Sequence, residues 1–491
     1  MLLVRFQLLT FVLLTWATLT SGQCKSRGWF GQTSCKYLCH CYNEVQCDWM
    51  TGKCPGRCAK GWFGPACQYV SSRYRVRSPS LLQPTLSNGD DNSCVPLFAI
   101  QAISDLSPFQ EILIDFDAPM LVTWVRIVGI STAQAASQNV KIEGLGGSSP
   151  CDPSKSQTVI QVDKTMDIFC EAFQPVGHLK LQFMQGISEL CSLYISGGRN
   201  VALRQKTSQT TTWSTYWVSG NAVNGKLGTI DGGDSVLQEE CTHTALGHGD
   251  QSWTVEFSNK CYFSQIVIYN RRNPSRVCCE DRLKGFLLTA YNGYTEIFNH
   301  RDHIATKQDV YTVVNSQSKG LTGPVTKIEI VKNRRSPILT LCEVMVFGDV
   351  ICPTGRYGRD CGSQCNCADH GACIVSTGGC PGGCAPGYMG EDCSTVCPDG
   401  KFGSGCKKTC SVHCEGYNDR CIFEDGSCVH GCEVGYQPPL CDTACNVGHY
   451  GPNCAEQCSV HCVGDTYPCS PKDGKCDLGC EPGYQPPTCD Q

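Results

Sequence analysis

Forty-one of the 491 residues are cysteine, and their spacing divides the chain before any other signal is read. Eight fall between Cys24 and Cys67. Three further sets of eight run from Cys352 to Cys393, Cys397 to Cys441 and Cys445 to Cys489. The last two sets have identical spacing, with eight, three, three, six, six, three and eight residues between successive cysteines. The first two share a Cys-x-Cys step instead, at Cys39/Cys41 and Cys365/Cys367. Each set closes on a Gly-aromatic turn: "KGWFGPAC", "PGYMGEDC", "VGYQPPLC" and "PGYQPPTC". Self-similar units of about 43 residues form a repeat array. Units so short cannot bury a sufficient apolar core and must be held by disulfides. Such dense cysteine belongs to an oxidising compartment, where evenly used thiols pair with one another rather than hold zinc.

The chain start agrees. "MLLVRFQLLTFVLLTWATLTSG" has an early Arg, a short apolar core and small residues before an expected cut at Gly22, which is the pattern of a secretory signal over residues 1–22. No later run approaches the roughly 18 apolar residues of a membrane span. The mature chain is therefore expected to be secreted and extracellular, with no membrane span. A net charge of -5 gives no case for nucleic acid or acidic membranes. No Asn-x-Ser/Thr sequon with x other than Pro occurs.

Between residues 70 and 349 only nine cysteines occur, and the pattern changes to β structure. "EILIDF", "VTWVRIVGI", "LKLQFM", "SLYIS", "WTVEF", "SQIVIYN", "GFLLTAY", "KIEIV" and "CEVMVFG" are short runs rich in β-branched and aromatic residues, separated by turn formers. Many short strands at this spacing indicate sandwiches. An internal duplication indicates two: "LCSLYISGG" parallels "LCEVMVFGD", and "EILIDFDAPMLVTWVRIVGI" parallels "SWTVEFSNKCYFSQIVIYNR".

The cysteine blocks resemble the eight-cysteine EGF-like repeats, of the laminin kind, found in multiple-EGF and scavenger-receptor proteins. The second β segment resembles the F-type lectin (fucolectin) module through "NAVNGK", "CTHT", "WTVEF", "IYNR", "CCEDRLKG" and "LCEVMVFG", in that order. The expected fold is all-β: two galactose-binding-like jelly-roll sandwiches flanked by small disulfide-rich EGF-like repeats. The division is a signal over 1–22, an EGF-like repeat over 23–69, a degenerate sandwich over 70–197 and the F-type lectin domain over 198–350. EGF-like repeats follow over 351–394, 395–442 and 443–491.

The lectin family binds L-fucose with one His, two Arg and a disulfide between adjacent cysteines. Carried onto this chain, these are His243, Arg271, Arg282, Cys278 and Cys279. The residues suit the task without the family. Arg offers a rigid fork of donors to sugar oxygens, and His adds a donor or acceptor. A ring of two neighbouring cysteines would expose its sulfurs as an apolar floor for the sugar methyl. It would also be strained, because adjacent Cα atoms lie only ~3.8 Å apart. Here the loop departs from the family: "RNPSRV" separates Arg271 from Cys278, Val277 stands where an Asp is usual, and Arg272 or Arg276 could replace Arg271. Aromatics of "TWSTYW" could line the rim or belong to the core. The family's structural calcium maps to Asn221, Asn224, Lys226, Glu240, Cys342 and Glu343, with Asn224 in place of a carboxylate and Lys226 in place of Asn. The first copy has "SCVPL" and "VGISTAQ" at these places and lacks the apparatus.

The resemblance also implies bridges Cys241–Cys342 and, by duplication, Cys94–Cys191, leaving Cys151–Cys170 between. Cys261 is then the odd cysteine. Its place in "SNKCYFSQIV" reads as an exposed turn that would link two chains in a disulfide dimer, with a buried inert thiol as the alternative. The expected function is a lectin for fucosylated or similar glycans, in adhesion or innate recognition, with no catalytic role, since no nucleophile elbow, carboxylate pair or metal motif stands in context. The rival is a structural or adhesive matrix protein in which the lectin site is vestigial.

Overall fold

A computed structural model describes residues 24, 27–31, 35–96, 111–129, 140–144, 157–161, 165–170, 175–183, 189–227, 240–246, 249–271, 279–304, 306, 308–315, 321–332, 338–390, 392–416, 421–466 and 468–491. The expected signal over 1–22 lies outside them. The chain divides into two compact units, Met1–Ile351 and Cys352–Gln491. The described elements are β almost throughout, with one short α-helix, Gln83–Leu86. None of the described helices is long and apolar enough to cross a membrane.

The first sandwich has two four-stranded sheets. One is ordered β1 (Tyr74–Ser78), β2 (Glu111–Met120), β7 (Val176–Phe183), β4 (Val140–Gly144); the other is ordered β5 (Gln157–Gln161), β6 (Thr165–Phe169), β3 (Trp124–Val128), β8 (Ser192–Ser196). Alternation aims Ile112, Ile114, Leu179, Leu181, Val125, Ile127, Leu193 and Ile195 into one core. Cys94 and Cys191 are bridged. Cys170 is disulfide-bonded, and its expected partner Cys151 lies outside the described residues.

In the second copy, "WTVEF" and "SQIVIYN" fuse into one 19-residue strand, β11 (Gln251–Tyr269). Its first part pairs with β10 (Lys206–Gln209), and its last part pairs with β14 (Val310–Val314) and β16 (Glu343–Val350). The ladder with β15 (Val325–Lys332) spans the junction, with a register shift between Glu256 and Cys261. Beyond β15 lie β12 (Leu287–Asn292) and β13 (Thr295–Arg301), and β9 (Arg199–Asn200) flanks β16. The polar triplet "SNK" is thus a bulged point inside a strand rather than a turn. That overturns the expected exposure of Cys261. The residue faces Val325 and Val350 in the ladders, is wholly buried and unpaired, and its Sγ lies 3.8 Å from the Val325 carbonyl oxygen. A disulfide dimer through this thiol has no path in the folded chain. The expected Cys241–Cys342 bridge is present, and its Cα–Cα distance of 3.8 Å equals that of Cys94–Cys191.

All four cysteine blocks share one connectivity: first to second, third to fifth, fourth to sixth, seventh to eighth. Each also places a positive-φ glycine under a hairpin aromatic: Gly52 under Phe30, Gly378 under Tyr357, Gly426 under Phe402 and Gly474 under Tyr450. A Cβ at any of them would enter the ring, so only glycine satisfies both the dihedral and the packing.

Within the first unit, the N-terminal block is seated on both sandwiches. Phe63 packs 5.0 Å from the Trp124 ring and 5.4 Å from that of Tyr194, and Tyr69 packs 4.8 Å from Trp124. That cover explains why β6 and β8 are buried along their whole length. Charges beneath it are paired, as burial requires: Arg126 binds Asp167 through Nε and Nη2 at 2.7 and 2.8 Å, and Trp124 Nε1 donates to Asp167 at 2.9 Å. On the second sandwich, Arg204 lies 3.8 Å over the Trp29 ring and donates to the Cys35 carbonyl oxygen at 2.8 Å. Tyr69 Oη donates to Asp349 on β16.

Candidate functional site

The site begins where β10 ends. Residues 210–218 loop around the segment that follows Cys241. The amide of Trp213 donates to the His243 carbonyl at 3.0 Å, and the amide of His243 donates to the Trp217 carbonyl at 3.3 Å. Gln209 Nε2 donates to the Trp217 carbonyl at 3.0 Å. His243 is thereby held between two indoles, 5.5 Å from Trp213 and 5.6 Å from Trp217. The aromatics of "TWSTYW" divide: Trp217 packs against the Cys241–Cys342 bridge, while Trp213 and Tyr216 are more than half exposed.

The imidazole's protonation follows from its partners. Nδ1 lies 2.7 Å from the Thr244 carbonyl oxygen, which only accepts, so Nδ1 carries the proton. Nε2 is then an acceptor, and Arg282 Nη1 donates to it at 2.9 Å. Burial, opposed by the Thr244 bond and reinforced by the charges of Arg282 and Arg271, pushes the His243 pKa down to about 4. The ring is neutral at physiological pH.

The two arginines arrive from opposite ends of one loop. Arg271 follows β11, is buried, and places its guanidinium carbon 4.4 Å over the Trp217 ring. Arg282 closes a 3-10 turn, Glu280–Arg282, that Cys279 opens with φ 92°. Cys279 is buried and disulfide-bonded, and its amide-adjacent carbonyl accepts the Arg282 N–H at 3.1 Å. A non-glycine residue at that φ costs about 1–3 kcal/mol and persists where surrounding contacts enforce it. Cys278 lies outside the described residues, as do Arg272 and Arg276. One contributor carries no motif in the sequence: buried Asp302 accepts the Gly285 amide through Oδ2 at 2.7 Å and so pins the end of the turn that presents Arg282. His243, Arg271, Arg282 and Cys279 are thus brought together; the first copy's "VGISTAQ" runs past Gly129 out of the described residues.

Beside this cluster is the expected cation site. Glu343 opens β16 and is wholly buried, and both carboxylate oxygens accept the Gly225 amide, at 3.2 and 3.1 Å. Burial pushes its pKa well up, against the main-chain donors of Gly225 and Asn224, and no cationic side chain among the described residues offsets it. Asn221 is buried and donates from Nδ2 to the Tyr216 and Cys241 carbonyls. Asn224 Oδ1 accepts the Lys226 amide at 2.8 Å. Glu240 is half-buried in the turn before Cys241, and Cys342 donates its amide to the Tyr269 carbonyl. The carboxylate of Glu343 offers hard oxygens that fit a divalent cation, Glu240 is the second carboxylate of the set, and Asn224 Oδ1 is engaged by the Lys226 amide.

Residues 221–334 match the family described as the NedA-like, galactose-binding domain, of the F5/F8 type C group. Solved structures similar to the chain include a Streptococcus pneumoniae fucose binding module, at 24% identity over 30% of this chain and 96% of that chain, with a TM-score of 0.25. Another is the lectin domain of lectinolysin complexed with Lewis B antigen, at 19% identity over 30% of this chain and 96% of that one, with a TM-score of 0.26. A third is a fucolectin from the serum of striped bass, Morone saxatilis, at 17% identity over 54% of this chain and 91% of that one, with a TM-score of 0.26. No curated protein sequence matches the chain. The second sandwich is a galactose-binding-like domain.

Proposed function

We propose that the second sandwich is a lectin module that binds fucose or a related glycan, in a secreted, non-catalytic protein. The observation that carries this reading is the His243–Arg282 pair. Nε2 is an acceptor and Arg282 is a cationic donor, 2.9 Å apart. A sugar hydroxyl both donates and accepts, so one hydroxyl inserted between them would satisfy both. Arg271, held over Trp217, adds a second fork of donors, and exposed Trp213 offers an aromatic face to the apolar side of a sugar.

Calcium belongs to the same reading. Glu343 would hold it with side-chain oxygens of Asn221, Asn224 and Glu240 and main-chain carbonyl oxygens of Lys226 and Cys342, and a divalent ion would supply the charge that burial otherwise draws from a proton. The disulfide-stiffened blocks would space the module, and several copies on one surface would raise weak single-site binding by avidity in adhesion or innate recognition. The seating of the N-terminal block on both sandwiches favours the second reading, a structural or adhesive matrix protein. A glycan array, run with calcium and with chelator, separates them. Selective signals on fucosylated glycans support the lectin; a blank array with folded protein supports the matrix role.

A further inference from the structure

Charge is segregated along this chain. Residues 23–80 carry nine Lys and Arg against two acidic residues, whereas residues 352–491 carry eight against seventeen. Part of the basic excess is organised by β1. Tyr74 and Val76 point inward: Val76 is buried, and Tyr74 Oη donates to the Leu86 and Leu193 carbonyls. Arg75 and Arg77, either side of Val76 with Arg77 at a bulge in the ladder, both reach Asp115 on the outer face; Arg73, just before β1, extends this row, and all three are exposed. β1 is the edge strand of its sheet, so nothing within the sheet lies beyond the row. The Ser71 amide donates to the Gly61 carbonyl at 2.7 Å, which brings exposed Lys60 alongside the start of the row.

Counter-charge on this part of the face, among the described residues, comes from Asp115 and from exposed Asp117, which the strand register sets level with Arg73, against three arginines and Lys60. Asp115 accepts Arg77 Nε at 3.0 Å, Arg75 Nη2 at 3.3 Å and His178 Nδ1 at 2.6 Å. The Arg75 side chain is still 76% exposed and that of Arg77 45%. Farther along, Lys180 is balanced by Glu111 and Glu143, which confines the excess to the arginine end.

We propose that Arg73, Arg75 and Arg77, with Lys60, form a docking strip for a linear sulfated polysaccharide. Guanidinium forks match the oxygens of a tetrahedral anion in pairs, and a row of them on one strand suits an extended polyanion rather than one small ion. Dense disulfides suit a compartment where sulfated polysaccharides, rather than nucleic acids, are the abundant polyanions. The strip is separate from the His243 site, so this binding does not depend on the lectin reading.

The test uses the full chain on immobilised heparin as the sulfated probe, with an unsulfated polyuronate and DNA-cellulose as comparison columns and free fucose in the buffer. The expected result is retention on heparin above that on both other columns. Arg73→Ser, Arg75→Ser and Arg77→Ser combined should lower the slope of log affinity on log salt by about 3, one per cation, as in other polyelectrolyte binding. Asp115→Asn should act in the opposite direction and delay elution, which keeps the test decisive if the triple variant fails to fold by circular dichroism. Passage of the parent through heparin, equal retention on all three columns, or earlier elution of Asp115→Asn overturns the proposal.

Discussion

Arg282 and His243 are joined by one hydrogen bond from guanidinium to a neutral imidazole, Nη1 to Nε2 at 2.9 Å. The imidazole can accept because Thr244 holds its proton on Nδ1. A cation beside a base that stays unprotonated pairs a donor with an acceptor, which suits a hydroxyl, and its lack of negative charge disfavours a metal ion.

Arg282→Ala should abolish retention on fucose-agarose while leaving the melting temperature within a few degrees. The variant loses a charged hydrogen-bond donor worth about 1.5–3 kcal/mol, a drop of roughly ten- to a hundred-fold in affinity. Retention equal to the parent's would make Arg282 a bystander.

Glycan binding should be level from pH 8 to 5 and fall as pH drops through about 4, where His243 protonates and meets Arg282 and Arg271 as a third cation. The stability effect has its own window. The folded pKa lies below the ordinary 6.5, so the unfolded chain takes the proton first. This group's contribution is complete above about 6.5, shrinks as pH falls toward 4 and is constant below. Proton NMR of the His243 ring reads the pKa directly, and a midpoint near 6.5 would refute the buried, neutral ring.

Glu343 has the opposite sign. Its raised pKa means that the protonated form suits the fold, so stability is full below the ordinary carboxylate pKa and is lost as pH rises through the folded value. In chelator, the melting temperature should therefore decline with rising pH, and millimolar calcium should restore it. Glu343→Gln should remove both the slope and the calcium response. Thermal scans at several pH values, with and without calcium, provide the check; a variant that still responds to calcium would place the ion elsewhere.

Non-reducing electrophoresis should show no dimer dependent on Cys261. The thiol is wholly buried, and burial raises its pKa far above neutrality, which suppresses the reactive thiolate. A thiol reagent should label one site per chain only after unfolding. Labelling of the native protein would mean that β11 opens at the bulge.

Much of this was readable from residue order because it repeats. The family resemblance implied Cys241–Cys342, the duplicated strand pattern carried that bridge to Cys94–Cys191, and the recurrent sets of eight cysteines located the blocks. The misreading of Cys261 came from local polarity: Ser258, Asn259 and Lys260 look like a turn, but β11 bulges and continues. In the first copy the aligned residue is Met120, also buried, where the corresponding strand does stop. The roles of Trp213 and Trp217 were not separable because an irregular loop has no period to read. Asp302 was silent because it acts through one main-chain amide, which any carboxylate at that point in space could reach.

The continuous β11 has a consequence for how the two copies open. In the first copy, β2 and β3 belong to separate sheets and are joined through residues 121–123, so one sheet can loosen without unzipping the other. In the second, β11 pairs along its length with β10, β14, β15 and β16, all within one continuous sheet. Amide hydrogens of Val255 and Ile266, on either side of the bulge, should therefore exchange with deuterium at a common slow rate, as one cooperative unit. The sandwich that carries the arginines would then be the stiffer twin, and its cluster would keep its shape while its neighbour breathes.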